Sequence, residues 1–515
     1  MHASLLSFSV LGIDAVPITV EVDAIDANSL DTSSWTIVGM GDTAIRESRE
    51  RVKSALRNTG FSVGQKRITV NLAPADLKKE GAHLDLTIAL SILVGTGRLN
   101  ADACARYAAI GELGLGGEVR AVPGALPIAL GAREQQCEGL IVPEANAREA
   151  AVVSDLKVFA VRDLAQVIQF IKGDLQLQPY KAPPASVVQP SEQELLDFAD
   201  VRGQESVKRA LEIACAGNHN VILVGSPGSG KTMLAKRLPG VLPAMTFEES
   251  IETTKIYSIA GLLNRHDGMI HQRPFRSPHH TASSVALIGG GATPKPGEVS
   301  LSHNGVLFLD EFPEFSRNVL EVLRQPLEDD IVHISRATMT LTFPANFLLC
   351  ATMNPCPCGY SGHPTKQCLC RPQVVQRYLG RVSGPLMDRI DLHVHVPAVL
   401  VEDLQKQRSG ETSQVIRKRV QQAREVQTER FKSTPALHCN AQMGSRELET
   451  YCQLSMSSRK LLRTAMESLN LSARAYARIL KIARTIADLD GKPSIGPEQL
   501  SEAIQYRTLD RSVVA

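Results

Sequence analysis

VILVGSPGSGKT, residues 221–232, opens on four apolar residues and closes on a lysine and a threonine. Val221, Ile222, Leu223 and Val224 read as a buried strand. Gly225, Ser226, Pro227, Gly228, Ser229 and Gly230 form a loop, and MLAKRL after Lys231 and Thr232 reads as a helix. This is G-x-x-x-x-G-K-[ST] in strand–loop–helix context. Glycines let successive N–H groups turn inward on a phosphate. The N-terminal end of the following helix adds its positive dipole. Lys231 is placed to reach β- and γ-phosphates, and the Thr232 hydroxyl to ligate Mg²⁺. A plain glycine-rich turn before a helix requires none of these fixed positions together. The expected ligand is a nucleoside triphosphate with Mg²⁺, on an α/β fold with a parallel sheet.

The rest of the chain bounds that reading. A length of 515 residues exceeds one hydrophobic core, so about three domains are expected. Apolar content of 43% and charged content of 21% fit a globular protein. The net charge of +2 places any nucleic-acid contact in local patches, not in the overall balance. MHASLLSFSVLGID lacks a basic n-region, so no signal peptide is expected. No run of about 18 apolar residues suggests a membrane span. With ten cysteines and no secretory signal, reduced thiols and a cytoplasmic location are expected.

Residues 1–175 read as a first domain. Strands are expected at Val16–Val22, Trp35–Val38 and Arg67–Leu72, with two short ones around Gly111–Ala121 and another at Gly139–Val142. Asp42–Asn58 reads as a helix capped by Asp42 or Thr43, and Leu84–Val94 as a helix apolar all round. A further helix is expected near Leu126–Glu134. Arg46, Arg49, Lys53 and Arg57 share a face, read as solvated and laced with Glu47 and Glu50, or as an anion-facing stripe. At GMGDTAIRESRERVKSALRNTGF, RITVNLAPADLKKEGAHLDLTIALSIL and IGELGLGGEVRAVPGALPIALGARE this region resembles the Lon-protease-like domain. The resemblance implies a Ser–Lys dyad in active members. His83 stands at the serine position and Leu126 at that of the lysine, so acyl transfer has no carrier and a scaffold is expected. Residues 176–190, with QPYKAPPASVVQP, read as an extended proline-rich linker.

Residues 191–400 carry the remaining chemistry. Asp200–Ala216 is an amphipathic helix, and D-x-x-G-Q ahead of a phosphate loop resembles AAA+ ATPases. VLFLDE (306–311) reads as a strand ending in two carboxylates. Asp310 suits Mg²⁺, and Glu311 suits polarising the attacking water. FLLCATMN (347–354) ends in Asn354, where AAA+ proteins carry the sensor 1 amide; standing alone, such a residue is turn chemistry. Arg389, in GPLMDRIDLHV, resembles the arginine finger of minichromosome-maintenance and magnesium-chelatase ATPases. Its alternatives are a salt bridge to Asp388 or Asp391, or Arg381 as the finger. Arg474, in NLSARAYARILKIARTIADL, matches sensor 2, with Arg478 its competitor one turn on. An insertion at Pro274–Ser302, with SPHHTAS and Gly289–Gly290–Gly291, resembles the helix-2-insert clade; His279 and His280 read as structural or functional. Asp330–Thr342 reads as a β-hairpin whose Arg336 contacts a DNA phosphate or tops a solvated tip.

Within an insertion at 354–372, Cys356, Cys358, Cys368 and Cys370 form C-x-C-x9-C-x-C. The spacing suits tetrahedral Zn²⁺, with His363 a substitute ligand; free or redox-active thiols are the alternative. Residues 401–515 read as an exposed Gln- and Arg-rich helix followed by a helical lid.

The degenerate Lon-like region, SPHHTAS, FLDEFPEF, ATMNPCPCG, SGPLMDRID and LSARAY together resemble the magnesium-chelatase-like AAA+ family of competence protein ComM, the YifB family. The fold class expected is α/β: a Lon-like α+β domain, a doubly wound parallel AAA+ sheet and a helical lid. The resemblance implies a hexameric ring that hydrolyses ATP with Mg²⁺. It implies single-stranded or branched DNA as partner, with recombination proteins, and branch migration during natural transformation. A magnesium-chelatase-type motor remodelling a protein, a Lon-type peptidase and a non-catalytic scaffold are the alternatives. Residues 1–175 count against the first, His83 and Leu126 against the second, and Lys231, Asp310 and Glu311 against the third.

Overall fold

The computed structural model describes residues 2–507, apart from 27–33, 40, 42, 62, 65, 80, 182–195, 265–267, 292–293, 337–338, 364, 399–409, 435–436 and 470. The chain forms two compact units. The first takes in Met1–Gln189 with Ser250–Ile270, and the second Pro190–Glu249 with His271–Ala515.

In the first unit, β1 (His2–Leu11), β2 (Asp14–Asp26), β3 (Trp35–Val38) and β4 (Lys66–Ala73) form a sheet of order β1-β2-β4-β3. The β1–β2 and β2–β4 pairs are antiparallel and β3–β4 is parallel. Period-two alternation decides its faces: Ile18, Val20, Val22 and Ala24 from β2 meet Ile68, Val70 and Leu72 from β4 in one core. Strand β1 was not anticipated. Its alternation over HASLLSFSVL holds serines at positions that turn out to be buried, and Ser7 is fully so because its hydroxyl donates to the Ala109 carbonyl at 3.0 Å.

The helix Asp85–Gly95 is buried at every residue. Its Asp85 is also buried, because Arg51 Nε donates to it at 2.7 Å, the Leu113 N–H at 3.3 Å, and the Ser48 hydroxyl as well. Burial pushes the Asp85 carboxyl up, against the pull of these donors. On the helix Thr43–Asn58 the inward cation is therefore Arg51, while Arg49 stays exposed and pairs with Glu50 at 3.0 Å. The cap expected at Asp42 lies outside the described residues.

A parallel trio, β5 (Tyr107–Ala109), β8 (Gly139–Pro143) and β9 (Lys157–Val161), and a two-stranded ladder, β6 (Glu112–Leu113) with β7 (Val119–Arg120), complete the sheets of this unit. Segment Ser250–Ile270 is held by Lys255 Nζ on Asp14 at 2.6 Å, and by the Ser258 hydroxyl on buried Glu149.

The second unit centres on five parallel strands: β10 (Val221–Gly225), β11 (Phe275–Arg276), β14 (Val306–Leu309), β17 (Leu348–Met353) and β18 (Leu392–Val396), in the order β11-β14-β17-β10-β18. Short ladders β12 (Gly289–Gly290) with β13 (Lys295–Pro296), and β15 (Ile331–Arg336) with β16 (Met339–Pro344), stand apart from this sheet. Strands β14 and β17 are buried at every residue, as apolar runs broken only by Thr352 require in a sheet covered on both faces. Because the strands are parallel, their C-terminal ends share one edge. Val224 pairs with Met353 and Leu309 with Ala351, so the phosphate loop, Asp310 and Asn354 all emerge there.

Helices Ser413–Arg430, Ser445–Tyr451, Met456–Leu469, Ala473–Leu489 and Pro497–Gln505 follow. Ile479, Ile482, Ala483 and Ile486 form the apolar stripe of Ala473–Leu489 and join the core around β10. Among the described residues no helix is long and apolar enough to cross a membrane.

Candidate active site

The loop after β10 is shaped by its glycines. A Cβ at Gly225 would lie 2.4 Å from the Val396 carbonyl oxygen, and Gly228 and Gly230 have φ of +77° and +88°. Lys231 Nζ donates to the Gly225 and Ser226 carbonyls at 2.7 and 3.0 Å, and to Asn354 Oδ1 at 3.2 Å. The ammonium therefore bridges the loop and the end of β17. Burial lowers the Lys231 pKa, while Asp310 and Glu311 draw it back up. The Thr232 hydroxyl donates to Asp310 Oδ2 at 3.0 Å, and the Thr352 hydroxyl to Oδ1. A hydroxyl and a carboxylate at this separation can share one Mg²⁺ with a triphosphate.

Asp310 and Glu311 are adjacent, and in regular strand they would face opposite ways. The structure avoids this at Glu311, which takes left-handed backbone angles, φ +55° and ψ +47°. Its N–H donates to the Thr352 hydroxyl at 3.2 Å, and its side chain is 59% exposed. For a non-glycine residue this conformation is uncommon, and here it frees the Glu311 side chain from the strand alternation. His280 Nδ1 lies 3.9 Å from Glu311 Oε2, and its ring is tilted 33° against that of His279, with 4.1 Å between centroids. The pair from SPHHTAS thus sits at the second carboxylate, a placement no spacing in the sequence foretold. Gln204, of D-x-x-G-Q, donates to the Ser229 carbonyl at 2.7 Å and so touches the phosphate loop directly.

The arginines fall elsewhere. Arg389 is buried, donates to the Pro385 carbonyl at 2.6 Å, and ion-pairs with Glu328. Its carboxylate partner is Glu328 and neither Asp388 nor Asp391. Arg389, and to a smaller degree Arg474 and Arg324, hold the Glu328 carboxyl below its usual range. Arg474 is exposed at the start of its helix, whose N-cap Ser472 accepts from the Ala475 N–H. Arg478 pairs with Asp391, a buried carboxyl. Burial pushes that carboxyl up, but Arg478 and His219 more than offset it. Arg381 pairs with Glu314 at 2.7 Å, three residues past Glu311. The side chain of Arg336 lies outside the described residues; its backbone pairs with Met339 at the end of the β15–β16 hairpin.

Cys356, Cys358, Cys368 and Cys370 offer four thiols whose sulfurs all lie within 4.8 Å of one another. Cys356 Sγ stands 3.4 Å from Cys358 Sγ and 3.6 Å from Cys368 Sγ, and Cys358 and Cys368 are also 3.6 Å apart. Sulfurs about 2.3 Å from a tetrahedral Zn²⁺ would be about 3.8 Å apart, so the donor set fits that ion. The Ser361 N–H donates to Cys356 Sγ at 3.3 Å, the kind of outer bond that steadies a ligating thiolate. His363 is engaged instead by the N–H groups of Thr365 and Lys366. Gly359 brings this loop to the nucleotide site: a Cβ there would lie 2.3 Å from Pro227 Cδ.

In the first unit, the two positions that match the Lon-like dyad are closed. His83 is buried and its carbonyl accepts from the Gly111 N–H at 2.9 Å. Leu126 is fully buried, and its N–H donates to Glu149 at 2.8 Å.

Residues 197–404 match a family model described as magnesium chelatase, subunit ChlI; residues 20–146 one described as subunit ChlI of Mg-chelatase; and residues 410–507 one described as magnesium chelatase, subunit ChlI C-terminal. The chain is 45% identical to competence protein ComM of Haemophilus influenzae, over 97% of this chain and 96% of that one. It is 43% identical to YifB of Escherichia coli, an uncharacterized protein, over 98% and 96%. A shorter match, 31% identity over 152 residues, joins 27% of this chain to 26% of Lon protease 2 of Bacillus subtilis.

Proposed function

Because the chain belongs to the ComM/YifB family of magnesium-chelatase-like AAA+ ATPases, we propose that it is an ATP-driven DNA motor, working as a ring of six copies, that moves DNA branch points during recombination in natural transformation. One observation carries this reading. Lys231, Thr232, Asp310 and Asn354 converge on one loop with Glu311 next to Asp310, whereas Arg389 is turned to Glu328. A charge-stabilising arginine away from its own chain's nucleotide site acts on a neighbour's, and so calls for a ring. In this reading Asp310 and Thr232 hold Mg²⁺, Glu311 polarises water, Asn354 orients it, and Arg389 with Arg474 stabilises charge across the subunit boundary. Arg336, at the end of the β15–β16 hairpin, contacts DNA, and the protein is cytoplasmic. The test is whether hydrolysis by this chain moves a branch point in DNA.

The three chelatase-named models favour one rival, a motor that remodels a protein partner. The near full-length identity to ComM, which takes in residues 1–175, weighs toward DNA.

Cys356, Cys358, Cys368 and Cys370 hold a structural Zn²⁺ in this reading. The ion would stiffen the loop that bears on Pro227 and is not placed to ionise the attacking water. Metal analysis of purified protein is expected to give about one zinc per chain, lost in Cys368→Ser. Metal-free wild-type protein with full ATPase activity would remove zinc from the account.

A further inference from the structure

The nucleotide site leaves one charge pattern of the second unit unused. Residues 331–387 contain no aspartate and no glutamate, yet they carry Arg336, Lys366, Arg371, Arg377 and Arg381. At the chain's average of 54 acidic residues in 515, such a stretch would hold about six. Burial explains only part of the deficit, since eighteen of the described positions in this stretch are buried and most of the others are exposed or half-buried without an acid. Much of what remains is the cysteine loop and the helix Pro372–Leu379.

The four clustered thiols close the segment between Cys358 and Cys368 into a loop. Its outer side presents exposed Lys366, Gln367 and Leu369, and exposed Arg371, Gln373 and Arg377 follow. Leu369, between the last two cysteines, is 85% exposed. Lys366 Nζ sits over the Tyr360 ring, 4.8 Å from its centroid. Of the cations from Lys366 to Arg381, only Arg381 has a carboxylate partner among the described residues.

We propose that this loop is a second nucleic-acid contact, gripping the phosphate backbone of a DNA strand with Lys366, Arg371 and Arg377. The proposal rests on the DNA-motor reading. Cations without local carboxylates repel one another until a polyanion with condensed counterions replaces their solvent, and that release drives binding. Amide donors at Gln367 and Gln373 suit phosphate oxygens, and Leu369 offers an apolar surface to the sugar–base side of an unpaired strand. The Gly359–Pro227 approach then gives bound DNA a direct mechanical route to the phosphate loop.

The experiment compares wild-type protein with K366Q/R371Q/R377Q for binding a fluorescent single-stranded oligonucleotide across a salt series, with basal ATPase measured in parallel. Basal ATPase should stay within about twofold, because none of the three residues belongs to the nucleotide site. The slope of log K against log salt should fall by about two, and affinity near 0.15 M salt by at least about tenfold. Equal affinity and slope for the two proteins would overturn the loop contact while leaving the motor reading intact. A wild-type protein that binds no DNA would overturn the motor reading itself. Normal DNA binding with loss of the oligomer on sedimentation would also overturn the proposal, in favour of an interface between copies. If the triple variant loses basal ATPase, the single variants decide: each should lower the slope by somewhat under one, and unchanged slopes refute the contact.

Discussion

Glu311→Gln is expected to bind ATP as tightly as the wild type and to hydrolyse it about 10²–10⁴-fold more slowly. The substitution keeps the side chain's shape and removes only its capacity to draw a proton from water. Every group placed to hold the nucleotide is left in position: Lys231 between the Gly225 and Ser226 carbonyls and Asn354, and Thr232 on Asp310. The left-handed backbone at Glu311 is a constraint that glutamine meets as well as glutamate does, so folding is preserved. Binding of a fluorescent ATP analogue and a phosphate-release assay read the two effects separately. Wild-type turnover in the variant would move the water-activating role elsewhere. Loss of binding would make Glu311 part of the nucleotide cradle.

Arg389→Ala is expected to bind ATP and to lose about 10³-fold or more in turnover. It is also expected to suppress wild-type subunits mixed with it, because in a ring each variant copy would disable its neighbour's site. The guanidinium is buried against Glu328, so a folding defect is the competing explanation. The structure separates the two. Glu328 is half exposed, so the carboxylate left behind is solvated and costs little, and thermal stability should fall only modestly. Titrating variant into wild type at constant total protein gives a concave loss of ATPase for a finger acting between subunits. A straight line of simple dilution means the finger is Arg381 or is absent. Because Arg389 is paired with Glu328, a working finger must exchange that carboxylate for a phosphate as the ring engages nucleotide.

What the sequence revealed and what it hid divide along sequence distance. The phosphate loop was legible because its chemistry is local: glycines, lysine and threonine at fixed offsets on a strand and a helix. Asp310 and Asn354 were legible for a related reason, since each ends an apolar run and parallel strands bring such ends to one edge. Leu84–Val94 showed its burial in composition alone. Glu328 was hidden because it meets Arg389 only through tertiary folding, and neither residue's neighbours point to the other. His280 beside Glu311, and Arg51 beneath Asp85, are of the same kind. Strand β1 was missed although its alternation was present, because buried serine reads as polar until its acceptor is known. Ser258 meets Glu149 in the first unit although the sequence around it lies between the phosphate loop and Asp310, and linear order gives no sign of that return.

The most direct measurement follows the branch point of a labelled four-way DNA junction with homologous arms, with ATP, with ADP, and with the Glu311→Gln protein. The wild type is expected to resolve the junction into duplex products only with ATP, and ADP or Glu311→Gln to leave the junction bound but unmoved. Products at the same rate in all three conditions, or steady ATP hydrolysis with no binding to the junction at low salt, would contradict it.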